Sequence, residues 1–366
     1  MVKAIQTLPV PAFYNASHAF DPVYRISPDA IRRTALEYRN RYNIAPASDG
    51  WGITLVSIDN QDDFNQPWGG LFVGDNRNGG PLADGNRLAE FQYRNAAIIN
   101  ATISTGDAHD PLQISCPASH LDCNGNFAPT NINITAAMIE SGEYRPNPDI
   151  VAMLKGGRDY RWLKDYWLYY ARTLETTKLV PLRVWSEHCP SGGPGQSIIA
   201  NLHEARIFIA YLRGRNPIMH WKGRTILTEE YSPFEPVILL DHNGCPLTES
   251  DPHMERELED DAAILDFMFR QKGPKVFAGQ ANGFCLSAAV DTWLAAAAKR
   301  DPSQIGQTYV LKDCTSPVVV CDGNGKVIVD FTPLAEAQTD KFVELGAHVV
   351  NSTDPIETWP GIQLAA

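Results

Sequence analysis

The sequence predicts an α/β protein built on a mostly parallel, six-stranded sheet with helices on both faces. Short apolar runs of strand length recur along the chain, and amphipathic stretches of helix length separate them. In addition, 44 % of the 366 residues are hydrophobic, enough to bury a large core and to exclude disorder.

Residues 1–50 are rich in Pro and Tyr and carry one helical piece, at 28–42; they read as an extension packed on the main body. The first strand is the apolar run 53–58, of the kind a parallel sheet buries on both faces. A helix is expected over 88–97, after which 98–105 runs β-like into Gly106 and Asp107. The neighbours of Val184 are expected to add a short strand. The segment 196–213 is helical, with Ile198, Ile199, Leu202, Ala205, Ile209 and Leu212 along one side. Residues 217–221 are strand-like. An acidic amphipathic helix follows over 254–271, its acidic run 255–261 read as a solvated face. Then come a strand at 275–279 and a helix at 284–298. The last parallel strands are 307–311 and 347–350, with a helix over 334–345 between them. The DGNG at 322–325 breaks 318–330 as a hairpin turn. Together these elements make a Rossmann-like three-layer sandwich, with the extension 1–50 ahead of a main domain over 51–366. The block 117–181 interrupts the alternation and reads as an insertion. Its Trp162, Tyr166 and Tyr169, at helical spacing, are expected in core or at a subunit interface, so self-association into a homo-oligomer stays open.

Composition narrows the function. A net charge of −12 repels phosphate backbones, and no basic stripe offsets it, so a nucleic-acid partner is not expected. No apolar stretch reaches the roughly 18 residues of a membrane span. Residues 1–15 hold one lysine and no apolar core, unlike a secretory signal. The seven cysteines form no C-x-x-C pair, which argues against a disulfide scaffold or a zinc ribbon and for a reducing, cytoplasmic compartment. The sequons at Asn15, Asn100, Asn133 and Asn351 are then expected to be coincidental.

In an open parallel sheet, ligands sit at the carboxyl ends of the strands. Four predicted strands end there in chemically useful residues: Asp59, the pair Asp107 and His109, Lys222, and a loop leading to Cys285. Most cysteines are small buried hydrophobes. Cys285 differs because the preceding Gly283-Phe284 turn puts it at a helix start, where the dipole and free N–H groups favour thiolate. With Asp59 and Lys222 on neighbouring strand ends, it becomes a candidate nucleophile. Asp107 and His109, two apart on a strand, face the same way and suit a divalent transition metal. His188 is the candidate third ligand; its alternative reading is a hydrogen-bonded histidine in a turn. Residues 122–126 (DCNGN) faintly resemble a calcium loop with misplaced Gly and Glu, 241–244 reads as a turn, and His203, His220 and His242 read as structural.

These segments resemble, in order, the motifs of the nicotinamidase/isochorismatase-like cysteine hydrolases. Residues 58–64 (IDNQDDF) are similar to the family's V-D-x-Q-N-D-F opening, and 107–109 (DAH) to its D-x-H metal motif. Residues 184–189 (VWSEHC), followed by Gly192 and Gly193, resemble W-P-x-H-C. Residues 221–223 (WKG) resemble the K-G that carries a catalytic lysine, and 231–235 (YSPFE) the Y-S-x-F-E after it. Residues 278–285 (AGQANGFC) are similar to the nucleophile loop G-x-A-T-D-x-C. The resemblance spans roughly residues 52 to 314 and leaves out the extension and the insertion.

The resemblance implies an amidohydrolase. Cys285 would be the nucleophile, Asp59 the general base, and Lys222 the cation that holds both, keeps Asp59 ionised and lowers the thiol pKa. The amides of Ala281 and Cys285 would form the oxyanion hole, with a cis peptide at Gln280–Ala281. Asp107, His109 and His188 would bind a divalent metal, zinc by expectation, with iron or manganese as alternatives. Phe64, Trp185, Gln113, Tyr231 and Phe284 would contact a small-molecule amide substrate, most nearly a pyridine carboxamide. Three departures stand out: Gln113 sits where many relatives have a further metal-site histidine, Phe284 precedes the nucleophile, and Asn282-Gly283 replaces Thr-Asp. Cleavage of another C–N bond, ureido or in a larger amide, is the first alternative. A vinyl-ether hydrolase without a thiol, and a silent binding protein, are the others.

Overall fold

The computed structural model describes residues 5–21, 24–74, 79–177, 181–321 and 324–363. Its parallel strands are β1 (Ile53–Ile58), β2 (Ile99–Asp107), β5 (Ile218–Lys222), β6 (Lys275–Gly279), β7 (Thr308–Leu311) and β10 (His348–Val350), and these six pair in the order β10-β7-β6-β1-β2-β5, while the short β3 (His120–Asp122) and β4 (Tyr144–Pro146) pair antiparallel apart from them. The helices are α1 (Pro28–Arg41), the short α2 (Asp62–Asn65), α3 (Gly80–Asn95), the short α4 (Ala136–Ser141), α5 (Tyr160–Thr177), α6 (Ala200–Arg213), α7 (Met254–Arg270), α8 (Cys285–Arg300) and α9 (Thr332–Glu344). Alternating strand residues feed two cores. Ile53, Leu55, Val276, Ala278, Tyr309 and Leu311 pack against α1, α3 and α6. Val56, Ile58, Phe277 and Val310 pack on the other face against α7, α8 and α9. A sheet covered on both sides is thus the direct reading of its continuous apolar runs.

Helix α3 begins eight residues before the expected 88, at Gly80. Pro81 reads as a breaker, yet in a first turn its missing N–H would be unpaired anyway. No strand forms at Val184. Its amide and carbonyl bond instead to the irregular segment 131–132 (Val184 N to Ile132 O 2.9 Å, Asn131 N to Val184 O 2.7 Å), away from the sheet. Strands β8 (Val319–Cys321) and β9 (Val327–Asp330) pair antiparallel as the hairpin signal requires; Asp322 and Gly323 of that turn lie outside the described residues.

Residues 117–177 do not stand alone. Trp162, Leu163, Tyr166, Trp167 and Tyr170 of α5 share one core with Ile114, Val184, Ile226, Leu227, Leu247 and Met254. Trp162 and Tyr166 are buried there and Tyr169 is half-buried, so the aromatic stripe is core. The acidic helix departs from expectation. Glu257 and Asp261, one turn apart on α7, are buried rather than solvated. Glu257 pairs with Arg224 and Asp261 takes His220 Nε2 at 3.0 Å, which ties α7 to β5. The extension is fastened by Glu204 on α6, whose carboxylate accepts Tyr24 OH at 2.6 Å and Tyr93 OH at 3.2 Å. The loop at 122–126 is closed on itself, since the Asp122 carboxylate accepts the amides of Asn124 and Asn126. No described helix is long and apolar enough to cross a membrane.

His120 gives the core around α5 a pH dependence. Its ring is buried and fully used, with Nε2 2.6 Å from the Ile114 carbonyl and Nδ1 accepting Trp167 Nε1 at 3.2 Å. Burial, against the Ile114 carbonyl, pulls its pKa from 6.5 to about 4. Because the unfolded chain then binds more protons, the contribution is complete above the unfolded value and is lost as pH falls toward 4. The total is about 3 kcal/mol. We expect the loss of stability between pH 7 and pH 4, read by urea unfolding, to be shallower in His120→Gln than in the wild type. Parallel pH profiles would remove His120 from the account.

Candidate active site

Adjacent strands β6, β1, β2 and β5 end along one edge, and each delivers a polar side chain to it. In register, Asp107 lies opposite Lys222, and Ile58 opposite Gly279. Beyond Ile58 the chain turns through Asp59, which adopts a positive φ of 43°. Gly279, at φ 115°, has no room for a side chain, because a Cβ there would lie 2.0 Å from the Ile58 carbonyl oxygen.

Lys222 Nζ is the centre of the constellation. It is buried, 3.0 Å from Asp59 Oδ2 and in contact with Asp107 Oδ1. It also donates to the Glu230 carbonyl at 2.9 Å and lies 3.6 Å from Cys285 Sγ. The thiol and the carboxylates of Asp59 and Asp107 lie within 4.8 Å of one another. Thr105 Oγ1 donates to the remaining oxygen of Asp59 at 2.6 Å. Burial pushes Lys222 down, but Asp107 and Asp59 outweigh it and hold the ammonium protonated well above the usual lysine range. Burial raises Asp59 despite Lys222. The thiol corrects an expectation. Lys222 does pull its pKa down, but burial, joined by the Asp59 and Asp107 carboxylates, overrides that and leaves Cys285 well above its ordinary value.

Cys285 is the first residue of α8, as the Gly283-Phe284 turn suggests. The Gln280–Ala281 peptide is cis. Among the described residues, the amides of Ala281 and Cys285 donate to no acceptor, and these are the two expected at the oxyanion hole. Phe64, Trp185, Tyr231 and Phe284 line a narrow cavity of about 30 Å³ over Cys285, together with Asp107 and His188. Trp185 Nε1 donates to Tyr231 OH at 3.1 Å, and the Trp185 and Phe284 rings meet edge-on at 5.2 Å.

Among the described residues two groups could hold a metal, Asp59, Asp107 and Cys285 around the lysine, and Asp107, His109 and His188. Asp107 Oδ2 is 3.5 Å from His109 Nε2 and 3.9 Å from His188 Nε2. Each imidazole has its other nitrogen turned to a carbonyl: His188 Nδ1 is 2.6 Å from Ser186 O, and His109 Nδ1 is 3.0 Å from Gly223 O. With Nδ1–H bonded to those carbonyls, both Nε2 atoms face the carboxylate and would offer their lone pairs to a cation, the donor set of a two-histidine, one-carboxylate site. Gly223, at φ 75°, is needed for this approach, since a Cβ would lie 2.7 Å from His109 Cε1.

Gln113 does not reach the cavity. Its Oε1 lies 2.8 Å from His109 Nδ1, and its Nε2 donates to Gly223 O at 2.8 Å. It stands behind His109 as a brace rather than among the residues that line the cavity, because both ends of its amide are taken up by His109 Nδ1 and the Gly223 carbonyl. Truncation of such a brace costs about 10–100-fold in metal affinity. Gln113→Leu is expected to weaken zinc binding to that extent in a chelator competition; wild-type affinity would refute the bracing role.

Other functional neighbours escaped the sequence reading. Gln61 bonds both the amide of Asp107 (2.7 Å) and its carbonyl (2.8 Å), fixing the loop after β1 to the end of β2. Asp63 accepts the Cys189 amide at 2.5 Å and so anchors the segment that carries His188. Thr105 was legible in principle, since it precedes Asp107 by two on β2 and therefore shares its side of the strand. Of the histidines read as structural, His220 meets Asp261 and His203 accepts Arg206 Nε at 3.1 Å.

No family model matches the chain, and no curated protein does. Among solved structures it is similar to the yeast nicotinamidase bound to the inhibitor nicotinaldehyde, at 16 % identity and a TM-score of 0.46, over 82 % of this chain and 99 % of that one. It is also similar to the nicotinamidase/pyrazinamidase of Acinetobacter baumanii, at 17 % identity and 0.45, over 83 % and 97 %. A third is the pyrazinamidase of Pyrococcus horikoshii in complex with zinc, at 16 % and 0.41, over 82 % and 99 %.

Proposed function

We propose that this chain is a cysteine amidohydrolase of the nicotinamidase/isochorismatase-like kind, cleaving a pyridine carboxamide to the acid and ammonia. The observation that carries the reading is the convergence of Cys285, Asp59 and Lys222, from three separate strand ends, beside two free amide donors and a metal-competent triad.

As the thiol attacks the amide carbon, Asp59 takes its proton; a base raised by burial is better matched to a thiol than an ordinary aspartate. The developing oxyanion accepts the amides of Ala281 and Cys285, each worth roughly 3 kcal/mol in sites of this type. The C–N bond breaks as protonated Asp59 gives its proton to the departing nitrogen, and a thioester remains on Cys285. Asp59 then deprotonates the water that hydrolyses the thioester, and the thiol is restored. Lys222 stays protonated throughout and holds the Asp59 carboxylate in reach of the sulfur.

Asp107, His109 and His188 would hold a divalent cation, zinc first by its affinity for imidazole, with iron or manganese as alternatives. When bound, that cation supplies a Lewis-acid contact for a ring nitrogen and so orients the ring. Phe64 and Trp185 supply the apolar walls.

An ammonia-release assay over a panel of amides tests this. Nicotinamide is expected to turn over at least tenfold faster than benzamide, which lacks the ring nitrogen, and faster than aliphatic amides. Equal rates for the two aromatic amides would remove the metal-oriented ring, and silence across the panel would overturn the amidase reading.

A further inference from the structure

Next to the catalytic constellation lies a pair of buried acids that the proposed chemistry does not use. Glu230 is in the loop after β5 and Glu257 stands on α7; each is 1 % exposed. Glu230 closes the 222–230 turn onto its own start. Its main-chain carbonyl accepts Lys222 Nζ at 2.9 Å, and its Oε2 accepts the amide of Gly223. The Gly223 carbonyl in turn accepts Gln113 Nε2 at 2.8 Å and lies 3.0 Å from His109 Nδ1. One residue thus bears on the catalytic lysine and, through a single peptide unit, on the metal-competent histidine.

The two carboxyls meet in a side-chain hydrogen bond. That contact needs a proton, because two ionised carboxylates are acceptors only. The surrounding groups supply no other donor. Lys222 is placed between Asp59 and Asp107 and meets Glu230 at its main-chain carbonyl. Arg224 is divided between Glu257 at 2.7 Å and Asp260 at 3.1 Å, and His220 is taken by Asp261. Thr225 lies beside Glu230 but gives its hydroxyl proton to the Thr228 carbonyl at 2.8 Å. Glu229 adds a further acid, its Oε1 accepting the Glu230 amide at 3.0 Å. The Oε1 atoms of Glu230 and Glu257 are both buried and accept from no described residue outside the pair. Burial raises the Glu230 carboxyl well above its ordinary value, and the charge and hydrogen bond of Glu257 push the same way. An ionised Glu230 would leave an unanswered charge in a dry interior, whereas a protonated one gives the contact its donor.

We propose that Glu230 and Glu257 share one proton, and that the neutral Glu230 so formed is the positioning residue that sets Lys222 against Asp59. The kinetic consequence rests on the amidase reading; the shared proton does not. An ionised Glu230 beside the lysine would compete with Asp59 for the ammonium. The neutral residue offers only its carbonyl dipole and leaves the charge of Lys222 to Asp59 and Asp107. Its part in the reaction therefore runs through the lysine, and its carboxyl serves to hold the turn that aims that carbonyl.

Two measurements on the full-length chain test it. In the first, infrared difference spectra at neutral pH compare the wild type with Glu230→Gln and with Glu257→Gln. The carbonyl stretch of one protonated carboxylic acid is expected to vanish in both variants, since either substitution supplies an amide donor and releases the single proton. No such band in the difference spectra, or a band lost in one variant and kept in the other, overturns the shared proton whether or not the chain is an amidase. In the second, kcat and KM for nicotinamide are compared. Glu230→Leu keeps the main-chain carbonyl but offers no oxygen to Gly223. It is expected to lower kcat by about tenfold or more with KM changed by less than about threefold, and Glu230→Gln to restore kcat to within about threefold of wild type. Wild-type kcat in Glu230→Leu, or no rescue by glutamine, overturns the positioning role. Where Glu230→Leu does not fold, Glu257→Leu takes its place, with the loss in kcat restored by Glu257→Gln; an unchanged kcat there overturns the role equally. Silence of the wild type on nicotinamide counts only against the amidase and leaves the infrared result to decide.

Discussion

Cys285→Ala is expected to lower amide turnover by about 10⁴- to 10⁶-fold, the range seen when a covalent nucleophile is removed from a preorganised site. Three side chains surround the sulfur, and none of them depends on it for position. Lys222 is held by Asp59, Asp107 and the Glu230 carbonyl. Asp59 is held by Thr105 as well as Lys222, and the metal-competent triad lies on the far oxygen of Asp107. The variant should therefore keep its metal content by elemental analysis and its urea midpoint while losing ammonia release. A fold that collapses with the thiol would mean that Cys285 is a packing residue. Wild-type turnover would mean that another group does the chemistry. Because Cys123 and Cys321 are exposed whereas Cys285 is half-buried and its surroundings push its thiol pKa up, peptide mapping after iodoacetamide at neutral pH should find those two labelled first.

The sheet was legible because parallel strands are buried on both faces and so write themselves as uninterrupted apolar runs; residues 53–58 and 275–279 match β1 and β6 to the residue. The strand-end polar residues were legible for the complementary reason, since nothing but a site explains Asp59, Asp107 and Lys222 directly after such runs. What stayed hidden is what depends on three-dimensional neighbours. The side on which Gln113 meets His109 depends on a loop with no periodicity. The burial of Glu257 and Asp261 depends on Arg224 and His220, more than 30 positions away for Glu257 and about 40 for Asp261. The thiol's protonation state follows from how dry the site is, and a helix N-terminus seen in sequence carries no information about that. The same applies to the shared core of α5 with Ile226, Leu227 and Leu247, which only packing reveals.

Lys222→Met is expected to cost about 3–5 kcal/mol of stability, the penalty for leaving buried charge uncompensated, and to abolish turnover along with it. The ammonium is the one cation in contact with both Asp59 and Asp107 among the described residues, and all three side chains are buried. Methionine fills the same space without the charge, so the loss is electrostatic rather than a cavity. The sign of its pH dependence separates the two. With the lysine gone, two carboxylates face each other in a dry site, and protonating one relieves the repulsion. The deficit relative to wild type is therefore largest at high pH and shrinks as the pH falls and Asp59, whose pKa burial already raises, takes up a proton. A packing defect would give a deficit that does not change with pH. Asp59→Asn in the Lys222→Met background removes one of the two charges at near-constant volume and should recover about 1–3 kcal/mol of the loss, a coupling that a double-mutant cycle reads directly. Should the double variant be no more stable than Lys222→Met at neutral pH, Lys222 and Asp59 do not share the electrostatic bond on which the proton-transfer steps depend. Asp59 would then reach the sulfur without help from the lysine.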